Sequence, residues 1–192
     1  VDPVHRPSFT ISRSDKVATA GSCFAQHIAR TLSESGFNYF VSENTPFGLT
    51  DEEGRARNYG VFSARYGNIY TARQLVQLIK RAQLAFAPVD NYWIRNDGKY
   101  VDPFRPQIEP DGYETIADLE SSRAEHFATV IELLTKTDVF VFTLGLTEGW
   151  RSKIDGAVFP LAPGVAGGKM NFDTYEFINF GVDDVVSDMH EA

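Results

Sequence analysis

Residues Asp138-Val139-Phe140-Val141-Phe142-Thr143-Leu144 form a nearly continuous apolar run that Gly145 closes. A strand of this composition has no polar face to turn to water, so it asks for cover on both sides, as the central strands of parallel sheets have. A second short strand pattern, Lys16-Val17-Ala18-Thr19-Ala20, lies near the start of the chain. It meets Gly21-Ser22-Cys23 and then a stripe of Phe24, Ile28, Ala29 and Leu32 at helical spacing, which Gly36 ends. Phe37 to Val41 offers the next strand of a βαβ unit. Strands alternating with helices predict an open α/β sheet, with ligands at the carboxyl ends of its strands.

The remaining segments fit that plan. Residues 42–68 are rich in turn residues and read as a long ordered loop with aromatic anchors. Thr71 and Gln74 make a capping box, and Leu75, Val76, Leu78, Ile79 and Ala82 line one side of a helix that runs to about Ala85, with Pro88 as its stop. Asn91 to Asp102 reads as a hairpin around Asn96-Asp97-Gly98. A longer helix is expected from about Thr115 to Thr135, broken near Ser121-Ser122, with Phe127, Val130, Ile131 and Leu134 buried. After Trp150 come a hairpin arm at Gly156 to Pro160, a Gly/Pro loop from Ala162 to Gly168, and a final helix from about Asp183. No internal repeat or linker divides the 192 residues, so one domain is expected.

Composition excludes several classes of function. With 43% hydrophobic and 13% aromatic residues the chain has ample material for a core. A net charge of −8 and the lack of any Lys/Arg-rich run disfavour nucleic-acid binding. No apolar stretch approaches the roughly 18 residues that span a bilayer, so no membrane partner is expected. The single cysteine, Cys23, makes neither an intramolecular disulfide nor a cysteine metal cage, and the four histidines show no ligand spacing. Neither a metal nor a cofactor is expected. The chain starts at Val1-Asp2-Pro3 with no basic segment followed by an apolar one, which leads to an expected cytoplasmic location. It stops at Met189-His190-Glu191-Ala192 inside an amphipathic helix pattern, and reads as a fragment.

Two strand ends carry reactive residues: Gly21-Ser22-Cys23, and Gly145-Leu146-Thr147-Glu148. A thiol at a strand-to-helix turn sits over a helix N-terminus, whose free N–H groups favour thiolate and cradle an oxyanion. Ser22 has three readings, as helix cap, as hydrogen-bond partner of the oxyanion, or as the nucleophile. The plainer reading is a structural turn with Cys23 packed as a small hydrophobe. His27 lies one helical turn beyond Cys23, but side chains lean toward a helix N-terminus, so a surface or packing role is expected for it. His126 reads as structural or solvated, His190 as a surface residue, and His5 sits in a Pro-flanked arm. Trp150 and Trp93 are placed either to stack on a sugar ring or to pack in a core. Glu148 either orients a base or binds a substrate hydroxyl, or else it pairs with Arg151 or caps a loop.

Ala18-Thr19-Ala20-Gly21-Ser22-Cys23-Phe24-Ala25 resembles the motif that names the GSCFA family, a group of bacterial proteins allied to the SGNH (GDSL-type) esterases. Also similar to that family are Thr143 to Trp150, Phe159 to Gly164, and Phe177 to Gly181. The resemblance implies a three-layer α/β/α flavodoxin-like open parallel sheet whose C-terminal part is missing here. SGNH enzymes carry their nucleophilic serine third in a Gly-Asp-Ser turn. That pattern puts Cys23 in the nucleophile position and Ser22 in the aspartate position, or makes Ser22 the nucleophile if the turn is offset by one residue. Gly67, followed by Asn68, is matched to the glycine that helps build the oxyanion hole, with Gly60 as an alternative. Gly145-Leu146-Thr147-Glu148 resembles the family's Gly-x-Asn-Asp, with Thr147 in place of Asn and Glu148 in place of Asp, and Trp150 just beyond. The Asp-x-x-His motif that holds the general base has no counterpart, since Asp188-Met189-His190 has the wrong spacing, so the base is expected beyond Ala192. The function implied is an esterase or acyl transferase acting on an O-acyl ester, of a small molecule or a polysaccharide. The alternatives are a non-catalytic carbohydrate- or ligand-binding module that keeps the fold, and a transferase with the thiol as acyl carrier.

Overall fold

The computed structural model describes residues 7–192. Twelve elements follow in order: β1 (Val17–Ala20), α1 (Cys23–Glu34), α2 (Asp51–Ala56), α3 (Ala72–Ala82), β2 (Trp93–Ile94), β3 (Tyr100–Val101), α4 (Ile116–Lys136), β4 (Val139–Phe142), β5 (Glu148–Ser152), β6 (Val158–Phe159), β7 (Tyr175–Asn179) and α5 (Val182–Glu191). The fold is mixed α/β. A short parallel sheet pairs β1 with β4, and two small antiparallel sheets are made by β2 with β3 and by β5 between β6 and β7. No helix among the described residues is long and apolar enough to cross a membrane.

The strand covered on both faces is β1, and this corrects the expectation drawn from the apolar run. All four residues of β1 are fully buried, while the four of β4 are half-buried. The cause is side-chain size. Val-Ala-Thr-Ala lets neighbouring segments close over both faces, whereas Phe140 and Phe142 lean on the edge of a core made by Phe62, Tyr66, Leu75, Val130 and Leu133. The strand expected over Phe37 to Val41 shrinks to one parallel bridge, Val17 to Tyr39, held by Val17 N–H to the Asn38 carbonyl at 2.9 Å and Phe40 N–H to the Val17 carbonyl at 2.8 Å.

Helix starts follow their caps. Thr71 with Gln74 and Thr115 with Asp118 both form reciprocal capping boxes, the first as the sequence predicts. A third box, Thr50 with Glu53, opens α2 inside the segment expected to be only loop. The break expected near Ser121-Ser122 is absent because these residues have a packing use: the Ser122 hydroxyl hydrogen-bonds the Tyr113 hydroxyl at 2.8 Å and α4 continues through it. The Asn91 to Asp102 hairpin forms as β2 and β3.

A second core of Trp93, Val101, Ala157, Phe159 and Tyr175 joins the hairpin to the β5–β6–β7 sheet. Trp93 is therefore a core residue. Gln77 of α3 ties this half to the first, donating to the Gly156 carbonyl at 2.8 Å and accepting from Val158 N–H at 2.9 Å. Arg73 of α3 holds Asp188 of α5 at 2.6 Å. Arg151 pairs with Glu176, its direct cross-strand partner, at 2.5 Å.

The densest tie is Asp102, at the end of β3. Its carboxylate accepts from Arg123 of α4 at 3.0 Å and from Arg105 at 3.3 Å, and lies 3.7 Å from Arg81 of α3. Burial opposes ionisation of Asp102, but the three guanidinium groups outweigh it and hold the carboxyl well below the usual range. Removing that carboxylate would leave three buried cations without it. Asp102→Ala is expected to lose about 3–5 kcal/mol in urea denaturation, whereas Asp97→Ala on the exposed hairpin turn should lose far less, because water screens its pairing with Arg95.

Candidate functional site

Parallel pairing in register, from Val17 opposite Val139 to Ala20 opposite Phe142, brings the carboxyl ends of β1 and β4 to the same edge. The chain leaves β1 through Gly21 and leaves β4 through Thr143, so the two reactive loops predicted from the sequence start side by side. Gly21 has φ +142°, and a Cβ there would fall 2.0 Å from Thr143 Oγ1 and 3.0 Å from its carbonyl oxygen. Only glycine fits that crossing. The Gly21 carbonyl in turn accepts from Ile69 N–H at 2.8 Å, and Leu146 N–H donates to the Tyr70 carbonyl at 2.8 Å. The 67–70 loop is thus laced between the two strand ends.

Ser22 is half-buried at the N-cap of α1, with extended backbone, and its hydroxyl makes no capping hydrogen bond. It faces the second loop instead: a Cβ on Gly145 would stand 3.5 Å from Ser22 Oγ and 3.4 Å from the Tyr70 carbonyl. Cys23 is the first residue of α1 and is exposed, so the packed-hydrophobe reading of its thiol does not hold. No acidic side chain lies in the first turn of α1, which leaves the N-terminal partial charge unopposed there. Gly67, at φ +70°, and Asn68 line a cavity of about 40 Å³ with Gln26, Tyr70, Arg105 and Gln107. Gly60, the alternative to Gly67, lines a separate cleft with Arg30 and Arg55.

The structure thus sets Ser22, next to Cys23, against Gly145, while Gly67 and Asn68 line a cavity that includes Gln26 of α1 but neither Ser22 nor Cys23. Thr147, Glu148 and Trp150 continue away along β5. The Thr147 carbonyl is used by Phe180 N–H at 2.8 Å, and Glu148 accepts from Thr147 N–H at 3.3 Å. Trp150 packs against Phe177 and Phe172, with ring centroids 5.8 and 6.4 Å away. Arg151 is taken by Glu176, which removes the Glu148–Arg151 pairing. His27 and His190 are exposed, and His5 lies outside the described residues. Among the described residues no cluster of His, Cys, Asp or Glu is placed to hold a metal ion.

His126 is a buried residue with a defined partner, which its helical spacing did not disclose. Its Nδ1 lies 2.7 Å from Glu43 Oε2, which also accepts from Arg65 N–H at 2.7 Å and Thr129 Oγ1 at 3.2 Å. Burial, aided by the positive charge of Arg105, pushes the imidazole down to about 4 against the pull of Glu43. Burial would raise Glu43, but the hydrogen bond and charge of His126, with Arg105 and the Arg65 N–H, hold it at about 2. The imidazole is neutral at physiological pH, and the ionised Glu43 keeps its proton on Nδ1. The members of this cluster are up to 86 residues apart in the chain. No spacing signal could have joined them.

The mixed α/β frame, with a Gly-Ser-Cys turn at the carboxyl end of a buried parallel strand, defines the class of protein. The model of the GSCFA family matches residues 16–192, and the chain belongs to that family. No curated protein and no solved structure matches it.

Gly21→Ala is expected to lose at least about 2 kcal/mol in chemical denaturation, from backbone strain and the clash with Thr143. Acid sensitivity follows from His126. Its folded pKa lies below the unfolded 6.5, so the unfolded chain takes up the proton first, and stability is full above about pH 6.5 and declines toward about 4. Urea denaturation should therefore show lower stability at about pH 4 than at about pH 7. Glu43, also depressed, adds a further loss below its unfolded value of 4.5.

Proposed function

We propose that this GSCFA chain is an SGNH-like esterase or acyl transferase acting on an O-acyl ester, of a small molecule or a polysaccharide, with Cys23 as nucleophile. The observation that carries this reading is the exposed thiol at the first position of α1, beside a second strand end whose Gly145 lies against Ser22. The flavodoxin-like three-layer arrangement belongs to the same proposal: β1 and β4 are parallel and α1 follows β1 directly, as in a doubly wound sheet.

In this mechanism the Cys23 thiolate attacks the acyl carbonyl, and the negative oxygen that forms is met by N–H groups at the start of α1 and on the Gly67-Asn68 turn. Collapse of the tetrahedral adduct breaks the C–O bond, the departing alkoxide takes a proton from water and leaves as the alcohol, and a thioester remains on Cys23. Water or a second alcohol then takes the acyl group and regenerates the thiol. A thiol needs less help from a base than a hydroxyl does, because part of it is ionised near neutral pH. Ser22, turned toward Gly145, serves as a hydrogen-bond partner of the oxyanion.

The test uses an activated acetate ester and a thiol-selective reagent. Cys23→Ser should lower the acylation rate at least about 100-fold, Ser22→Ala about 10-fold. The acyl group left on Cys23 by the ester should block labelling of the protein by the thiol-selective reagent. Retained turnover in Cys23→Ser with loss in Ser22→Ala would move the nucleophile to Ser22. Labelling unchanged by prior exposure to the ester, with no acyl-enzyme formed, would leave a ligand-binding module on this fold.

A further inference from the structure

The β5–β6–β7 sheet carries exposed aromatic rings on one face. On the β5–β7 pair, Trp150 stands directly opposite Phe177 and Glu148 directly opposite Asn179. Side chains two apart on a strand share a face, so these four lie on one side of the sheet. That face is closed at one end, where Ser152 and Tyr175 are buried, and opens toward the other, where Phe177 is 59% exposed and Glu148 and Asn179 are exposed. Phe172, in the turn before β7, adds a third ring and is 70% exposed. The indole of Trp150 reaches both, its centroid 5.8 Å from that of Phe177 and 6.4 Å from that of Phe172.

The cluster is fixed by its surroundings. Trp150 is flanked by its two cross-strand partners, fully buried Phe159 on β6 and Phe177 on β7. The Phe172 turn is tied to the end of β5 by Lys153, whose Nζ donates to the Phe172 carbonyl at 2.7 Å and whose N–H donates to the Thr174 carbonyl at 2.8 Å. Asn171 Oδ1 accepts from Asp173 N–H at 2.9 Å and closes the turn. Two phenylalanines displayed so openly on fixed backbone mark a binding surface that needs little ordering when a ligand arrives.

The chemistry around the rings selects the occupant. Glu148 and Asn179 bring a carboxylate and an amide to about 7 Å along the strands from the Trp150–Phe177 row. Rings beside hydrogen-bonding groups suit a ligand with apolar C–H faces and hydroxyl edges, as a pyranose has. An apolar peptide or a lipid would strip water from Glu148 and Asn179 without pairing them. Anionic polymers are repelled by Glu148, by Asp173 beside Phe172 and by the net charge of −8. A second copy of the chain would set those same carboxylates against each other. The Phe177 and Phe172 rings are inclined at 71° and 53° to the indole, so the three offer no flat surface to a crystalline polymer.

We propose that the Trp150, Phe172 and Phe177 cluster binds a neutral glycan as a single soluble chain. Sugar rings stack on Phe172, Phe177 and the open part of Trp150, and Glu148 and Asn179 take the hydroxyls. This site lies on β5, β7 and the turn between them, and does not rest on the ester chemistry of Cys23.

Affinity electrophoresis through gels that hold arabinoxylan, galactomannan, mixed-linkage β-glucan or dextran, with polygalacturonate as the anionic control, reads binding without turnover. At least one of the four neutral polymers should retard the protein, and polygalacturonate should not. Phe172→Ala and Phe177→Ala should each weaken that binding about 10-fold, and Glu148→Ala about 5-fold. Should Phe177→Ala fail to fold, Phe172→Ala in the exposed turn carries the test. Phe47→Ala, which removes an exposed ring ahead of α2, should change nothing. Retardation by none of the neutral polymers, equal retardation by polygalacturonate, or unchanged retardation in folded Phe172 and Phe177 variants overturns the proposal. So does a dimer in sedimentation that Phe172→Ala turns into monomers, because that result gives the face to a second copy. Acylation of Cys23, measured separately, decides the ester reading, so failure of one leaves the other standing.

Discussion

Asp102 is the point on which the helices and the hairpin depend. Four parts of the chain converge on one carboxylate: the last turn of α3 through Arg81, the end of β3 through Asp102 itself, the following turn through Arg105, and α4 through Arg123. Phe104 closes the cluster, its N–H on Asp102 at 3.0 Å and its ring 3.7 Å beneath the Arg81 guanidinium. A buried ion cluster of this kind adds little net stability over a well-packed apolar one. What it supplies here is alignment, since a shift of either helix would strand a charge.

The candidate ester site rests on a different device, the parallel register of β1 and β4. Because the strands end together, Gly21 and Thr143 cross at van der Waals distance, and Ser22 meets Gly145 with a hydroxyl that makes no capping hydrogen bond. The 67–70 loop locks the crossing through one backbone bond to each strand's exit, Ile69 to Gly21 and Tyr70 to Leu146. The same loop contributes Asn68 to the cavity that Arg105 also lines.

Local signals carried much of this. The Gly21-Ser22-Cys23 turn, the Thr71 capping box and the hairpin around Asn96-Asp97-Gly98 are each settled by a handful of adjacent residues, and each stands where the sequence puts it. The errors arise where tertiary context decides. Val139 to Phe142 is apolar throughout yet half-buried, while the plainer Val-Ala-Thr-Ala of β1 is the strand enclosed on both sides. Phe37 to Val41 has strand residues but only one bridge. β5 and β7 bear mixed side chains with a charged pair at Arg151 and Glu176, so they resemble loop in sequence and become strands through their pairing. The Asp102 and Glu43 clusters leave no sequence trace, because their members are distant in the chain and each alone looks like a surface residue.

Among the described residues no strand pairs with the outer edge of β4, and Leu144 and Leu146, just beyond it, are 62% and 51% exposed. A row of free amides and carbonyls beside apolar side chains is a template that any extended peptide of suitable sequence can extend. The strand that sets Gly145 against Ser22 is therefore also an open sheet edge. Whatever lies along that border bears on the loop that follows it, so the company β4 keeps and the aim of the Gly145 loop are one variable.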